Sequence, residues 1–493
     1  MGRDSSRLKL FLSLLVISTP PLFSAASPVT VSGRRLLVKG QPFTVQGVDY
    51  SPVPVGSTAG SASGGCTGPY LWWADRSTYI ADFPLIKRMG ANTIRAYGIL
   101  NDASANTVSQ VRAALDSAQA QGLYVIMNFY PDHFVSVPAN AAAWRAQFLA
   151  GINAYKDHPA VLLWEFGNEQ NLDNGQDPAW YPLVNAAAGD AHAADPNHSV
   201  MTVEGECPTC GTPINFNIGS LSRSADDPHM PNLDAWGVNA YRGTSFQGLF
   251  ETLISSTSKP LLVTEFGKDA YRDSTAQEDQ AMQASYIASQ WQEIAARRSA
   301  ADPTKPLAGG VVFEWTDEWW KAGSCLSHDT TVLFARSGDT VDPNYQEEWF
   351  GLTAVSPVNA ISNPAGTART LRTSYATLQG YWNPTATAST AAAGIFDGPV
   401  RNFPNPFRVG SGNTLFVANV TMAAKVDVKI FDAGDQFVGS LTQSSTGPGR
   451  VELLWDGRNG QGAFVSPGLY LVRIEGTATG KEEKQFRRVV AVK

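Results

Sequence analysis

Two glutamates stand out by their setting. Glu169 closes the stretch HPAVLLWEFGNE and Glu265 stands near the end of PLLVTEFG. Each ends a continuous apolar run, the pattern of a strand covered on both faces. Carboxylates are rarely buried unless they are paired or used. Two carboxyl groups about 5–5.5 Å apart can cleave a glycosidic bond with retention of configuration. One protonates the leaving oxygen and the other attacks the anomeric carbon. We assign Glu169 as acid/base and Glu265 as nucleophile. Burial and a negative neighbour should raise the first, while a nearby arginine should keep the second charged. Arg95 and Tyr241 are the groups expected to hold Glu265 ionised, and Asn168 is placed to bind a ring hydroxyl. The competing reading of the two glutamates is a structural salt bridge to Arg95.

Other residues could join such a site. Asp132 and His133 follow the run Tyr124 to Phe129 and could bind hydroxyls. The stretch EWTDEWWKAG brings Glu314, Asp317 and Glu318, any of which is a rival for the place of Glu265. Glu204 and Glu206 are further rivals. For Glu204, Glu206 and Glu318 we expect hydroxyl binding or a surface role. Trp72, Trp73, Trp319 and Trp320 can stack on sugar faces or simply pack long loops. A metal-dependent hydrolase would need clustered histidines. The 6 His of the chain do not supply that set, so we expect neither metal nor cofactor.

These residues need a scaffold that brings distant parts of the chain to one mouth. Eight apolar runs are spaced along the sequence: Phe43 to Val48, Thr93 to Tyr97, Tyr124 to Phe129, Val161 to Phe166, Val200 to Glu204, Trp236 to Tyr241, Leu261 to Phe266 and Val311 to Trp315. Amphipathic stretches lie between them, among them Asp75 to Met89, Thr107 to Gln121 and Asn140 to Tyr155. Thr275 to Arg298 is predicted as the longest helix, and Thr367 to Tyr381 as the last. Strand alternating with helix predicts a (β/α)₈ barrel, whose working face lies at the C-terminal strand ends. A doubly wound open sheet is the rival, but no GxGxxG turn follows the first run. Val29 to Phe43, turning at Lys39-Gly40, predicts a hairpin under the barrel.

The chain of 493 residues exceeds one typical domain. We divide it into a signal peptide over 1–26, the barrel over 27–383, a linker over 384–398 and an all-β sandwich over 399–493. Arg3, Arg7 and Lys9, the apolar Leu10 to Ile17 and the small Ser24 to Ala26 form the leader pattern. The rival reading is an N-terminal anchor, but the run falls short of the ~20 residues of a membrane span. The linker is the small-residue stretch NPTATASTAAAG. The sandwich shows as short alternating strands between Gly/Asp/Asn turns. A net charge of -7 argues against a nucleic-acid partner. Export favours disulfides among the 4 cysteines, and Cys207–Cys210 with Cys66–Cys325 is the preferred pairing of three.

The motifs WEFGNE and LLVTEFG, at the ends of runs four and seven, resemble clan A of the glycoside hydrolases, which includes families 2, 5 and 72. The resemblance covers about Val29 to Trp382. It implies an Asn-Glu acid/base at Asn168 and Glu169, a nucleophile at Glu265, an arginine at Arg95, a tyrosine at Tyr241 and a sugar-stacking tryptophan at Trp315. NTIRAYG, GVNAYRG and GGVVFEW are most similar to family 72, which implies a β-glucan substrate and glycosyl transfer. His133, Glu318 and Trp319 complete the predicted substrate-binding set. The C-terminal stretches NFPNPF, VKIFDAGDQFV, WDGRNGQGAFV and SPGLYLVRI resemble the immunoglobulin-like domain of flagellar hook-capping proteins. That implies a bacterial source, and a module that attaches to a cell surface or to secretion machinery. The alternative to a secreted retaining enzyme is a non-catalytic carbohydrate-binding barrel.

Overall fold

The computed structural model describes residues 26–61, 65–207, 215–336, 338–355, 369–383, 395–396, 400–434 and 436–493. The leader expected over 1–26 therefore lies outside the described residues except for Ala26. So does the expected linker over 384–398, except for Ile395 and Phe396.

Eight parallel strands close into a barrel. They are β1 (Val45–Asp49), β2 (Thr93–Ala96), β3 (Tyr124–Phe129), β4 (Val161–Asn168), β5 (Val200–Gly205), β6 (Ala235–Asn239), β7 (Leu261–Phe266) and β8 (Leu307–Val312). Nearly every residue in them is buried, because side chains fill the barrel on one face and meet helices on the other. The predicted barrel is present, with one displacement. The eighth run was expected at Val311 to Trp315, but β8 begins at Leu307. Gly309 and Gly310 hide its start from a hydrophobicity pattern. Gly309 is required there: its φ is +137°, and a Cβ would strike the Val45 backbone of β1.

The surrounding helices are α1 (Arg76–Met89), α2 (Ala105–Ala120), α3 (Val137–Tyr155), α4 (Trp180–Ala194), α5 (Leu249–Ser256), α6 (Gln280–Ala296) and α7 (Thr373–Trp382). Asp75 caps α1 by accepting from Ser77 N, and Gly90 ends it in the left-handed region. The stretch from Thr275 to Arg298 is not one helix. Tyr271–Arg272 and Gln277–Glu278 pair as a small hairpin, and the Asp279 side chain then caps α6. At 19 residues against 17, α3 is longer than α6. The last helix starts later than Thr367 because Thr370–Leu371 pairs with Thr353–Ala354. No helix among the described residues is long and apolar enough to cross a membrane.

Below the barrel, Val29–Ser32, Arg35–Val38 and Gln41–Pro42 form an antiparallel three-stranded sheet. Its Val29, Leu36 and Val38 share a buried cluster with Val45, Leu162 and Leu262 from the barrel interior. At the opposite end, Cys66–Cys325 joins the loops after β1 and β8, with Cα atoms 6.0 Å apart. Cys207 is also disulfide-bonded; Cys210, its expected partner, lies outside the described residues.

The C-terminal part is two packed sheets. Arg401–Phe403, Thr414–Val420 and Gly449–Trp455 make one. Phe407–Arg408, Lys481–Val492, Gly468–Ala478, Ala424–Asp432 and Phe437–Ser445 make the other. Alternate residues such as Val426, Val428, Ile430, Val472 and Ile474 fill the space between them. Ile395 and Phe396 are buried in that same core. The sandwich thus takes up chain that was expected to be linker.

Candidate active site

The site is built from strand ends on one side of the barrel. Arg95, fully buried on β2, is its centre. Its Nε and Nη2 donate to both oxygens of Glu165 at 2.8 and 2.7 Å. Its Nη1 donates to Asp49 Oδ1 and to Glu265 Oε1, each at 3.1 Å. Nη2 also reaches Asn168 Oδ1 at 2.7 Å. One guanidinium therefore faces three buried carboxylates. Burial foremost pushes the Asp49 carboxyl well above its ordinary range and Glu265 pushes it the same way, while Arg95 pulls it down.

Glu265, at the end of β7, receives two more donors. Tyr97 Oη donates to Oε1 at 2.6 Å and Tyr241 Oη to Oε2 at 2.8 Å. Every donor aimed at this carboxylate stabilises negative charge. Glu169 stands differently. It follows β4 in the left-handed region at φ 53°, which turns its side chain away from the strand. Its backbone N–H is held by Val203 O at 3.0 Å. Its carboxyl accepts from Asn239 Nδ2 at 3.0 Å, and Asn239 is itself oriented by Thr264 Oγ1 at 2.7 Å. Burial, and then the nearby Glu265, raise the Glu169 carboxyl from 4.5 to about 8. The two carboxyls thus sit in opposite environments, one rich in donors and one nearly bare. Room for Glu169 is made by Gly205 at the end of β5, where a Cβ would lie 2.5 Å from Glu169 Oε1.

Glu165, Asn128, Asn239, Tyr97 and Asp49 had no assigned role in the sequence reading. Glu165 is a charged residue inside an apolar strand, and that oddity was the available signal. Asn128 signals in the same way, and it donates to Glu165 Oε1 at 2.7 Å.

The structure brings Glu169, Glu265, Arg95, Asn168 and Tyr241 into one hydrogen-bonded network. Glu318 lies at its edge, where the Glu265 charge acts on it, and burial foremost raises its carboxyl to about 8. Trp319 lies flat on His328 at 4.6 Å, and His328 lies on Trp349 at 3.6 Å, so the loop after β8 is a three-ring stack. His133 is tied to Asp173 at 2.5 Å. Trp315 does not take the expected place. It is 0% exposed and packs inward beside Leu352 and Tyr375, leaving no face for a sugar. Trp72 is likewise buried among Tyr50, Tyr79 and Phe83.

Three of the rival carboxylates are occupied elsewhere. Asp317 is gripped by both terminal nitrogens of Arg372. Glu204 accepts from Tyr181 Oη and Asn217 N. Glu206 pairs with Arg242. Glu314 is wholly buried with no hydrogen-bond partner, and burial foremost drives its carboxyl well up. Among the described residues no group of three or more His, Cys, Asp or Glu is arranged to hold a metal ion.

A parallel eight-stranded barrel with an asparagine-glutamate pair at the end of β4 and a glutamate near the end of β7 has the architecture of a barrel glycoside hydrolase. The model of the glucanosyltransferase family, glycoside hydrolase family 72, matches residues 18–334, and the chain belongs to that family. The FlgD Ig-like domain matches residues 410–480. Among curated proteins the chain is 23% identical over 348 residues to the 1,3-beta-glucanosyltransferase gas5 of Schizosaccharomyces pombe, covering 65% of this chain and 61% of that protein. It is 26% identical over 328 residues to gas4 of the same yeast, covering 62% and 64%. The 1,3-beta-glucanosyltransferase gel2 of Aspergillus fumigatus is 23% identical over 331 residues, covering 63% and 62%. The chain spans less than two thirds of the length of each. Among solved structures, a Bacteroides uniformis beta-glucuronidase is 15% identical at a TM-score of 0.46, covering 93% of this chain and 47% of that one.

Proposed function

We propose that this protein is a retaining enzyme acting on β-glucan, with Glu265 as nucleophile and Glu169 as acid/base. The observation that carries this reading is the contrast between the two carboxyls. Glu265 takes donors from Arg95, Tyr97 and Tyr241, so it attacks the anomeric carbon as a carboxylate. Glu169 keeps its proton to about pH 8, so it delivers that proton to the leaving oxygen. The glycosyl–Glu265 ester forms as the glycosidic C–O bond breaks. Glu169, now a carboxylate, then takes a proton from water or from a sugar hydroxyl, which displaces Glu265 from the anomeric carbon. The proteins it resembles carry the name 1,3-beta-glucanosyltransferase, which favours a β-1,3-glucan and a sugar acceptor. Asn168 and Glu318 bind hydroxyls of the glycone. We place the protein outside the cytoplasm of a bacterium, on its leader pattern, its disulfides and its FlgD-like module, which serves attachment or spacing.

Glu265→Ala tests the assignment. The variant should lose turnover, and azide should rescue it on an activated aryl β-glucoside by giving the α-glycosyl azide. Turnover that survives the substitution would remove Glu265 from the role.

A further inference from the structure

The loop after β3 carries an aromatic line that leads away from the carboxyl pair. Tyr130 is its inner end. It directly follows β3, at the C-terminal strand ends of the barrel, the face that also carries Glu169 and Glu265. The His133 ring lies 5.1 Å from the Tyr130 ring, tilted by 30°, and the Phe134 ring lies 6.1 Å beyond His133. Exposure rises along the line, from a half-buried Tyr130 to a Phe134 that is 84% exposed.

Phe134 is the most exposed large apolar side chain among the described residues, and covering such a ring is favourable. The loop that displays Phe134 is not loose. His133 is tied to Asp173. Asn174 Nδ2 donates to Asp132 O at 2.7 Å, and Val135 N donates to Asn174 Oδ1. The loops after β3 and β4 are thus braced against each other. Phe134 itself sits at φ 56°, a region that non-glycine residues seldom adopt. Backbone strain and three hydrogen bonds thus hold an aromatic face out to solvent.

We propose that Tyr130, His133 and Phe134 form an extended β-glucan track, on which glycosyl units beyond the cleavage point lie against the rings. Sugar rings have apolar C–H faces that stack on aromatics, and such stacking needs no charge. The occupant is the polysaccharide itself, because the line begins at the end of β3, on the same barrel face as Glu169 and Glu265. This deepens the β-glucan reading and rests on it.

The test compares the full-length protein with Phe134→Ala and Phe134→Trp, using β-1,3-gluco-oligosaccharides of increasing length and an aryl β-glucoside. The readout is the ratio of kcat/KM on the longest oligomer to that on the aryl glucoside. Phe134→Ala should lower this ratio about five- to tenfold through KM, and Phe134→Trp should restore it. Melting temperature should stay level, since Phe134 buries little. An unchanged ratio overturns the track, and so does an equal loss on both substrates. A wild-type dimer that dissolves in Phe134→Ala would show that a second copy covers the ring. A wild type inactive on every β-glucan overturns both readings, whereas wild-type activity with no length effect of Phe134 sinks the track alone.

Discussion

Tyr97 donates its hydroxyl proton to Glu265 Oε1 across 2.6 Å, and the same hydroxyl accepts from Arg95 Nη1 at 2.7 Å. The tyrosine stands two residues after the arginine on β2, so one strand end delivers two linked donors to one carboxylate oxygen. Bonds chained in this way polarise each other. Removing the hydroxyl should leave the pocket shape intact and the carboxylate less stabilised as it leaves the glycosyl ester. We predict that Tyr97→Phe lowers kcat on an aryl β-glucoside by about 10²-fold with little change in KM. Steady-state kinetics decides it: a loss confined to KM would assign Tyr97 to binding.

Gly205 gives a prediction in which no functional group is removed. A methyl at this position would lie 2.5 Å from Glu169 Oε1, so the acid must shift. A displacement near 1 Å can cost about 10²-fold in rate. Gly205→Ala should therefore lower kcat by about that factor while circular dichroism stays that of the wild type. Full activity would mean that Glu169 need not occupy this place.

The raised Glu169 carboxyl sets a pH dependence of definite sign. In the proposed role of general acid it must be protonated, so activity should fall as pH rises through about 8. Stability follows the same direction. The folded state holds the proton more tightly than the unfolded chain, where the group returns to about 4.5. The stabilisation is complete below that value and is lost as pH rises toward the folded value. Glu169→Gln should abolish the alkaline limb along with most activity, and its melting temperature should fall less between pH 6 and 9. An unmoved limb would assign that titration to another group.

Arg95 is expected to matter for the fold as much as for chemistry. Removing it leaves Asp49, Glu165 and Glu265 buried without their shared cation. Breaking a buried pair in this way costs about 3–5 kcal/mol. Arg95→Met should show that loss in urea unfolding, and should recover part of it in Arg95→Met/Glu165→Gln. A near-neutral single variant would contradict the charge count.

The barrel was legible because its strands are apolar runs ending in polar residues, and strand ends are where such barrels place their chemistry. That rule brings Glu169, Glu265, Arg95 and Tyr241 to one end of the barrel, and the structure joins them in one hydrogen-bonded network. Trp315 is not among them, because the chain turns inward after β8 and buries that ring behind the site. A residue's type and its distance from a strand end do not report which way a loop turns. β8 was displaced for a related reason: Gly309 is defined by the neighbouring β1 backbone, not by its own polarity. Asn239 became meaningful only once folding set it between Thr264 and Glu169. Phe134 was invisible because exposure is a property of the folded loop.

The most direct test of the account is to trap the intermediate. The protein would be incubated with an activated 2-deoxy-2-fluoro-β-glucoside, digested and mapped by mass spectrometry. One fluoroglucosyl ester should form on the peptide that carries Glu265 as activity disappears. A label on Glu169, Glu314 or Glu318, or inactivation with no covalent adduct, would contradict it.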